Sequence, residues 1–168
     1  MKEIETKVRV DEKLASKLKN MKLIPYEEID EYFFTKENLK GDIYLRFRRK
    51  KGKIFLNLKN VVSGSEIVDI YESEEIATEL TEEQYEKMKK IFELIFPIRV
   101  QVRKIRKKGN HKNCEICHDI VDDLGEFFEI EGTRESIKKV CEELEIDNNL
   151  RDKERGYAKM TLKKKGFI

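Results

Sequence analysis

Charge recurs at every second residue in several stretches of this chain. Glu3, Glu5 and Lys7 open it as E-x-E-x-K, and Arg46 with Arg48, Glu72 with Glu74, Lys104 with Arg106, and Glu129 with Glu131 repeat the spacing. Asn57 and Lys59 alternate with Leu56 and Leu58, and Asp119 falls on the face opposite Ile120. In an extended strand, residues two apart share a face and sit about 6.6 Å apart. Each pair is therefore a charged patch on one side of a strand. Taken singly, each reads as a half-buried strand with its charges in water. Taken together they allow a second arrangement, a sheet closed into a barrel with the charged parity inward. Seven acids (Glu3, Glu5, Glu72, Glu74, Asp119, Glu129, Glu131) and six bases (Lys7, Arg46, Arg48, Lys59, Lys104, Arg106) would then share the lumen. A small barrel with an apolar interior could not hold them. A wide, wet one could, its carboxylates gathering a divalent cation such as Mg²⁺ and its bases clamping a polyanion. Phosphoryl transfer uses those parts.

The elements that would position these residues can be read in order. Residues 2–10 alternate as a strand. Asp11 caps a short helix carrying Leu14, Leu18 and Met21, closed by Pro25. Residues 28–35 form a second strand, and residues 43–60 a hairpin about Lys51-Gly52. Residues 66–77 form another strand. Residues 80–95 form the clearest helix, with a Thr81/Gln84 capping box and a stripe of Tyr85, Met88, Ile91, Phe92 and Ile95. Residues 98–108, 114–125 and 126–132 are strands, with a turn at 109–113. Thr133 starts a helix with Ile137, Val140, Cys141 and Leu144 on one face. Residues 148–166 are polar and give no clear assignment. About eight strands with three helices make an α+β fold dominated by antiparallel strands, in a single domain over residues 1–168.

These motifs resemble, over nearly the whole chain, the CYTH family of triphosphate tunnel metalloenzymes. "EIETK" is similar to its ExExK signature, "YLRFR" (44–48) to its arginine strand, "LNLK" (56–59) to its lysine strand, "YESEE" (71–75) to its E-x-E strand and "VRKIR" (102–106) to its K-x-R strand. "HDIVDDLGEFFEIEG" (118–132) and "ERGYAKM" (154–160) resemble the class IV adenylate cyclase branch. The resemblance implies an eight-stranded antiparallel β-barrel with helices packed outside, binding a triphosphate together with Mg²⁺ or Mn²⁺. It implies metal-site carboxylates Glu3, Glu5 and Glu131 helped by Glu129, and Glu72 and Glu74 serving a second metal or a water. It implies triphosphate contacts from Lys7, Arg46, Arg48, Lys59, Lys104 and Arg106, with Asp119 as a further polar wall residue and Arg155 reaching in from the tail. The reaction would be cyclisation of ATP to cyclic AMP and pyrophosphate, or hydrolysis of inorganic, thiamine or nucleoside triphosphate. Relatives suggest a homodimer. The chain departs from the pattern at Lys59-Asn60-Val61, at Val68-Asp69 and at Gly156-Tyr157.

Composition narrows the alternatives. Charged residues are 42% of the chain, yet the net charge is +2, so bulk attraction to nucleic acid or membrane is not expected. The abundance of Lys and Glu leans toward a thermophilic source. Met1 leads directly into a charged strand pattern and no apolar run approaches the roughly 20 residues of a membrane span, so a cytoplasmic chain is expected. The other reading is a non-catalytic polyphosphate- or RNA-binding module using the basic runs 46–53 and 103–108; the acids Glu3, Glu5, Glu129 and Glu131 oppose it, because without a metal they repel phosphate. "HKNCEICH" (111–118) suggests zinc or haem attachment through Cys114, Cys117, His111 and His118. In a strand, however, Cys114 and Cys117 point to opposite faces, so the thiols read as packing, as does Cys141.

Overall fold

The computed structural model describes residues 2–64, 70–147, 149 and 156–168. Eight strands are present: β1 (Lys2–Arg9), β2 (Ile24–Phe34), β3 (Ile43–Lys50), β4 (Lys53–Gly64), β5 (Ile70–Leu80), β6 (Ile98–His111), β7 (Cys114–Val121) and β8 (Gly125–Glu131). They close into one antiparallel barrel in the order β1-β5-β4-β3-β2-β6-β7-β8. Closure removes every sheet edge. It also fixes which parity of each strand faces inward, because the side-chain period is two. The β3–β4 hairpin turns through Lys51 and Gly52 at φ 50° and 74°, the left-handed pair of a tight hairpin. The β6–β7 hairpin turns at Lys112 and Asn113 (φ 46° and 62°), so the expected turn at 109–113 is shorter and β6 runs on to His111. Pro25 does not close the first helix; it lies near the start of β2, where an absent N–H costs little.

The helices are α1 (Glu12–Leu18), α2 (Glu82–Ile95), α3 (Arg134–Glu143) and α4 (Tyr157–Lys164). Asp11, Thr81 and Thr133 each accept a backbone N–H at the start of the first three. Outward apolar residues of β1, β7 and β8, among them Val8, Ile116, Phe128 and Ile130, meet Leu14 and Leu18 of α1 and Ile137, Val140 and Cys141 of α3. Phe33, Phe47 and Ile54 meet Tyr85 of α2, with Met88 and Phe92 packed alongside. Ile91 and Ile95, expected in the same stripe, are exposed instead. The packed face of α2 runs through Tyr85, Met88, Phe92 and the following Phe96, one row around the helix.

The fourth helix was not legible in the polar tail. Tyr157, Ala158, Met160 and Leu162 of α4 are buried against Tyr32, Phe34, Tyr44, Val61, Tyr71, Val100, Val102, Val121 and Phe127. Those residues come from seven strands and share the inward parity. The helix therefore plugs one end of the barrel, and the other half of the interior carries charge. Among the described residues no helix is long and apolar enough to cross a membrane.

Leu162 has no exposed surface and sits in this plug. Leu162→Ala should destabilise the protein by about 2–5 kcal/mol through lost burial and a cavity. The urea midpoint should fall with an unchanged slope, and an unchanged midpoint would mean that the plug does not contribute to the core.

Candidate active site

The inward parity beyond the plug lines a cavity of about 880 Å³, open mouth included. Eight cations reach it: Lys7, Arg46, Arg48, Lys50, Lys59, Lys104, Arg106 and Lys108. Seven carboxylates share the lining: Glu3, Glu5, Glu28, Glu75, Glu115, Glu129 and Glu131. Gly156, Tyr157 and Ala158 form part of its floor.

Glu3, Glu5, Lys7, Arg46, Arg48, Lys59, Lys104, Arg106, Glu129 and Glu131 are thus brought together, as their alternation suggested. Asp119 is wholly buried behind the wall, its carboxylate held by Arg106. Glu72 and Glu74 are a correction. Ser73 pairs with Glu3 and Tyr71 with Glu5, so the inward residues of β5 are Tyr71, Ser73 and Glu75. Glu72 lies outside, bonded to Lys2 and Arg134, and Glu74 is exposed. Arg155 lies outside the described residues. The sequence reading also missed Glu28, Asp30, Lys50, Glu75, Lys108, Glu115 and Tyr157. Alternation could have found Glu28 and Asp30, which share a parity with Tyr32 and Phe34. The opposite parity of that strand, with Ile29, Glu31 and Phe33, looked equally plausible.

Two clamps organise the interior. Arg48 donates from Nε and Nη2 to Asp30 at 2.6 and 2.8 Å, and Arg106 donates in the same bidentate way to Asp119 at 2.7 and 2.6 Å. The Tyr32 hydroxyl donates to Asp30 at 3.3 Å and that of Tyr157 to Asp119 at 2.9 Å. Lys104 lies 3.8 Å from each aspartate and 2.8 Å from Glu28. Burial by itself would push Asp30 up, but Arg48, Arg46 and Lys104 hold it well below the usual carboxylate range. Arg46 donates to the Tyr32 hydroxyl at 2.9 Å and pairs with Glu75 at 3.4 Å, while Asn57 donates to Glu75 at 2.6 Å.

The opposite wall is acidic. Glu3, Glu5 and Glu131 lie on paired strands, with Glu131 directly across from both Glu5 and Glu115. Burial first, then Glu3, Glu115, Glu5 and Glu129, push Glu131 up to about 7. Lys59 bridges Glu3 and Glu5 at 3.2 and 2.7 Å. Glu129 is engaged by Lys7 at 3.3 Å and Arg106 at 3.0 Å. Among the described residues no three acids, imidazoles or thiols form a ready-made metal cage. The wall nevertheless offers hard oxygen donors, four carboxylates on the two paired strands β1 and β8, with Lys59 shared between Glu3 and Glu5. Mg²⁺ commonly takes one or two carboxylates and completes its shell with water and phosphate oxygens, so the residues fit a divalent ion shared with an anionic ligand. The zinc and haem motif does not assemble. Cys117 shares the inward parity of Asp119, while Cys114 and Ile116 face α3 and His118 bonds Glu126 at 2.8 Å.

A family model described as the CYTH domain matches residues 1–161. No curated protein sequence matched significantly. Among solved structures, the PH1012 protein of Pyrococcus horikoshii is 22% identical with a TM-score of 0.74, over 89% of this chain and 94% of its own. A protein of Bacillus halodurans, described provisionally as an adenylate cyclase, is 19% identical with a TM-score of 0.63, over 87% and 92%. HpAC1 of Hippeastrum, an adenylyl cyclase candidate described as revealing a dominant triphosphatase activity, is 16% identical with a TM-score of 0.63, over 99% and 97%. At these identities the likeness shows the fold.

The clamps also set the acid stability. A carboxylate whose folded pKa is depressed stabilises the fold above its unfolded pKa, about 4, and loses that contribution as pH falls through the folded value. Asp30 is held well below the usual range, and Glu28 at about 2 once Lys104 and Arg48 overcome its burial. Stability should therefore drop between about pH 4 and about pH 2. Asp30→Asn should cost about 3–5 kcal/mol at neutral pH by leaving Arg48 unpaired, and should flatten the acid limb. Denaturant midpoints from pH 7 to 2 would show it, and parallel curves for the two proteins would exclude Asp30 as a source of the acid limb.

Proposed function

The chain belongs to the CYTH domain family, and on that premise we propose that it is a divalent-metal-dependent enzyme hydrolysing a triphosphate inside its barrel. The observation that carries this reading is the cavity in which a basic wall faces an acidic one. Basic side chains from four strands (Lys7, Arg46, Arg48, Lys59, Lys104, Arg106) surround a space where successive phosphates can each meet a cation. Lys59 is bound to the cavity's own Glu3 and Glu5 and can turn to a phosphate, while Arg46, bound to Tyr32 and Glu75, also lies 3.6 Å from the clamp carboxylate of Asp30. Arg48 and Arg106 are locked by their aspartates and offer a fixed edge of positive charge. A bound Mg²⁺ or Mn²⁺, held by Glu3, Glu5 and Glu131 with Glu129 beside them, would neutralise phosphate charge as a Lewis acid. The acidic wall would orient the attacking water, while the basic wall stabilises charge that develops on the phosphoryl oxygens.

Cyclisation of ATP is the second reading, favoured by the LG-x-F-x-EIE stretch at 124–131. It requires a seat for adenine and ribose. The cavity lining is charged almost throughout; its apolar members Val61 and Ala158 and its inner tyrosines belong to the plug, while Tyr26 alone adds a ring nearer the mouth. Hydrolysis needs no such seat, and the dominant triphosphatase activity described for HpAC1 is in line with that order. The substrate class is thus inorganic, thiamine or nucleoside triphosphate.

Phosphorus NMR of the protein with ATP, thiamine triphosphate and inorganic triphosphate, with Mg²⁺ or Mn²⁺ and again with chelator, tests the reading. Orthophosphate release that stops with chelator is expected. Cyclic AMP with pyrophosphate would replace hydrolysis by cyclisation, and no turnover would leave a binding module. Glu5→Ala and Glu131→Ala should each lower kcat by about 100-fold or more with unchanged circular dichroism. Arg46→Ala should raise KM by about tenfold with a smaller effect on kcat; an unchanged KM would remove Arg46 from the phosphate site.

A further inference from the structure

One buried hydroxyl of the cavity has no use in the site as described so far. Tyr71 is 5% exposed and stands at the border of plug and cavity, packed among the plug residues and part of the cavity lining. Tyr32 and Tyr157 occupy the same border, and their hydroxyls donate to Asp30 and Asp119. The Tyr71 hydroxyl makes no aligned hydrogen bond. Burying a donor without a partner is unfavourable, so its retention calls for a physical reason. Across from it stands Glu5. The two residues are directly paired between β1 and β5, and both line the cavity. Burial first, then the charge of Glu5, push the hydroxyl well above the ordinary tyrosine range, so it keeps its proton. Glu5 is already engaged: Lys59 Nζ lies 2.7 Å from its Oε1 and reaches Glu3 at 3.2 Å.

We propose that Tyr71 is a positioning residue for the metal site, its hydroxyl donating to Glu5 once a divalent ion has displaced Lys59 from that carboxylate. This rests on the triphosphate reading, in which Glu5 holds the ion and Lys59 turns to a phosphate. A carboxylate that ligates a metal is held in orientation by hydrogen bonds from its surroundings. Without the ion, Lys59 supplies that bond. An ion on the acidic wall competes with the ammonium for Glu3 and Glu5 and repels it, which would leave Glu5 loose when its orientation matters. Tyr71 is anchored in the plug and stands beside Glu5, and its hydroxyl is neutral. It can therefore take over the hydrogen bond without adding a like charge next to the ion.

The test compares the full chain with Tyr71→Phe and Tyr32→Phe. Mn²⁺ binding is read from the paramagnetic resonance of the free ion, and thermal melting is followed without metal. Tyr71→Phe should weaken Mn²⁺ binding by about tenfold. It should leave the metal-free melting temperature unchanged or raised, because the lost hydroxyl has no partner there. Tyr32→Phe removes a hydroxyl that is bonded to a clamp and should show the opposite pattern, a melting temperature lower by about 2–4 °C with Mn²⁺ affinity near the parent's. Unchanged Mn²⁺ affinity in Tyr71→Phe would overturn the assignment. So would a metal-free melting temperature that falls as it does for Tyr32→Phe, since the hydroxyl would then be a structural partner in the empty site. A parent that binds no Mn²⁺ would overturn the metal reading itself.

Discussion

Charge taken inside a barrel must be matched inside it. A guanidinium buried without a partner costs several kcal/mol, and this interior holds Arg46, Arg48, Lys104 and Arg106, each at most 9% exposed. The solution is two bidentate arginine–aspartate clamps, Arg48 with Asp30 and Arg106 with Asp119, facing each other across Lys104. The rest of the cavity follows from them. With the clamps set, the remaining cations find partners among the groups that line the cavity. Lys59 between Glu3 and Glu5 is such a pair, and so is Arg46 beside Glu75.

This division explains how one barrel can be both stable and wet. Outside, the strands are packed conventionally by α1, α2 and α3 over Phe33, Phe47, Phe128 and Ile130. Inside, α4 fills one end with Met160 and Leu162 against Phe34, Val100 and Phe127. Apolar burial at these places offsets the cost of keeping an uncollapsed charged space between them. The plug also supplies part of the cavity floor through Gly156, Tyr157 and Ala158.

Much of this was legible from alternation alone. Glu3, Glu5 and Lys7 on β1, Lys104 and Arg106 on β6, and Glu129 and Glu131 on β8 stand on strands whose other parity is plainly apolar or plainly exposed, so the inward face had one solution. Glu72 and Glu74 were misplaced because "YESEE" carries acids on both parities. A one-residue choice of register exchanges Glu72 and Glu74 for Glu75, and only the pairing of Ser73 with Glu3 decides it. Glu28 and Asp30 were missed for the same reason, since β2 mixes acids and aromatics on both faces. The fourth helix was hidden because its burial comes from the barrel interior, which no window of sequence contains. Its apolar residues are few, and Lys159, Lys163 and Lys164 make the segment read as polar.

Tyrosine draws the border between the two halves of the interior. Tyr32 and Tyr157 each place a ring in the plug and a hydroxyl on a clamp aspartate. A phenylalanine would fill the same apolar volume but leave the aspartate one donor short. A smaller polar residue would satisfy the aspartate and open a void. Tyr157 carries more still: Lys7 Nζ lies 4.0 Å and Lys104 Nζ 5.0 Å from its ring centroid, so the ring face meets two of the cavity's cations. The plug helix is thereby tied to the charged site through one side chain. That coupling gives the segment at Gly156–Ala158 a role in shaping the cavity floor that its sequence, a glycine and a tyrosine at the end of a polar run, does not announce.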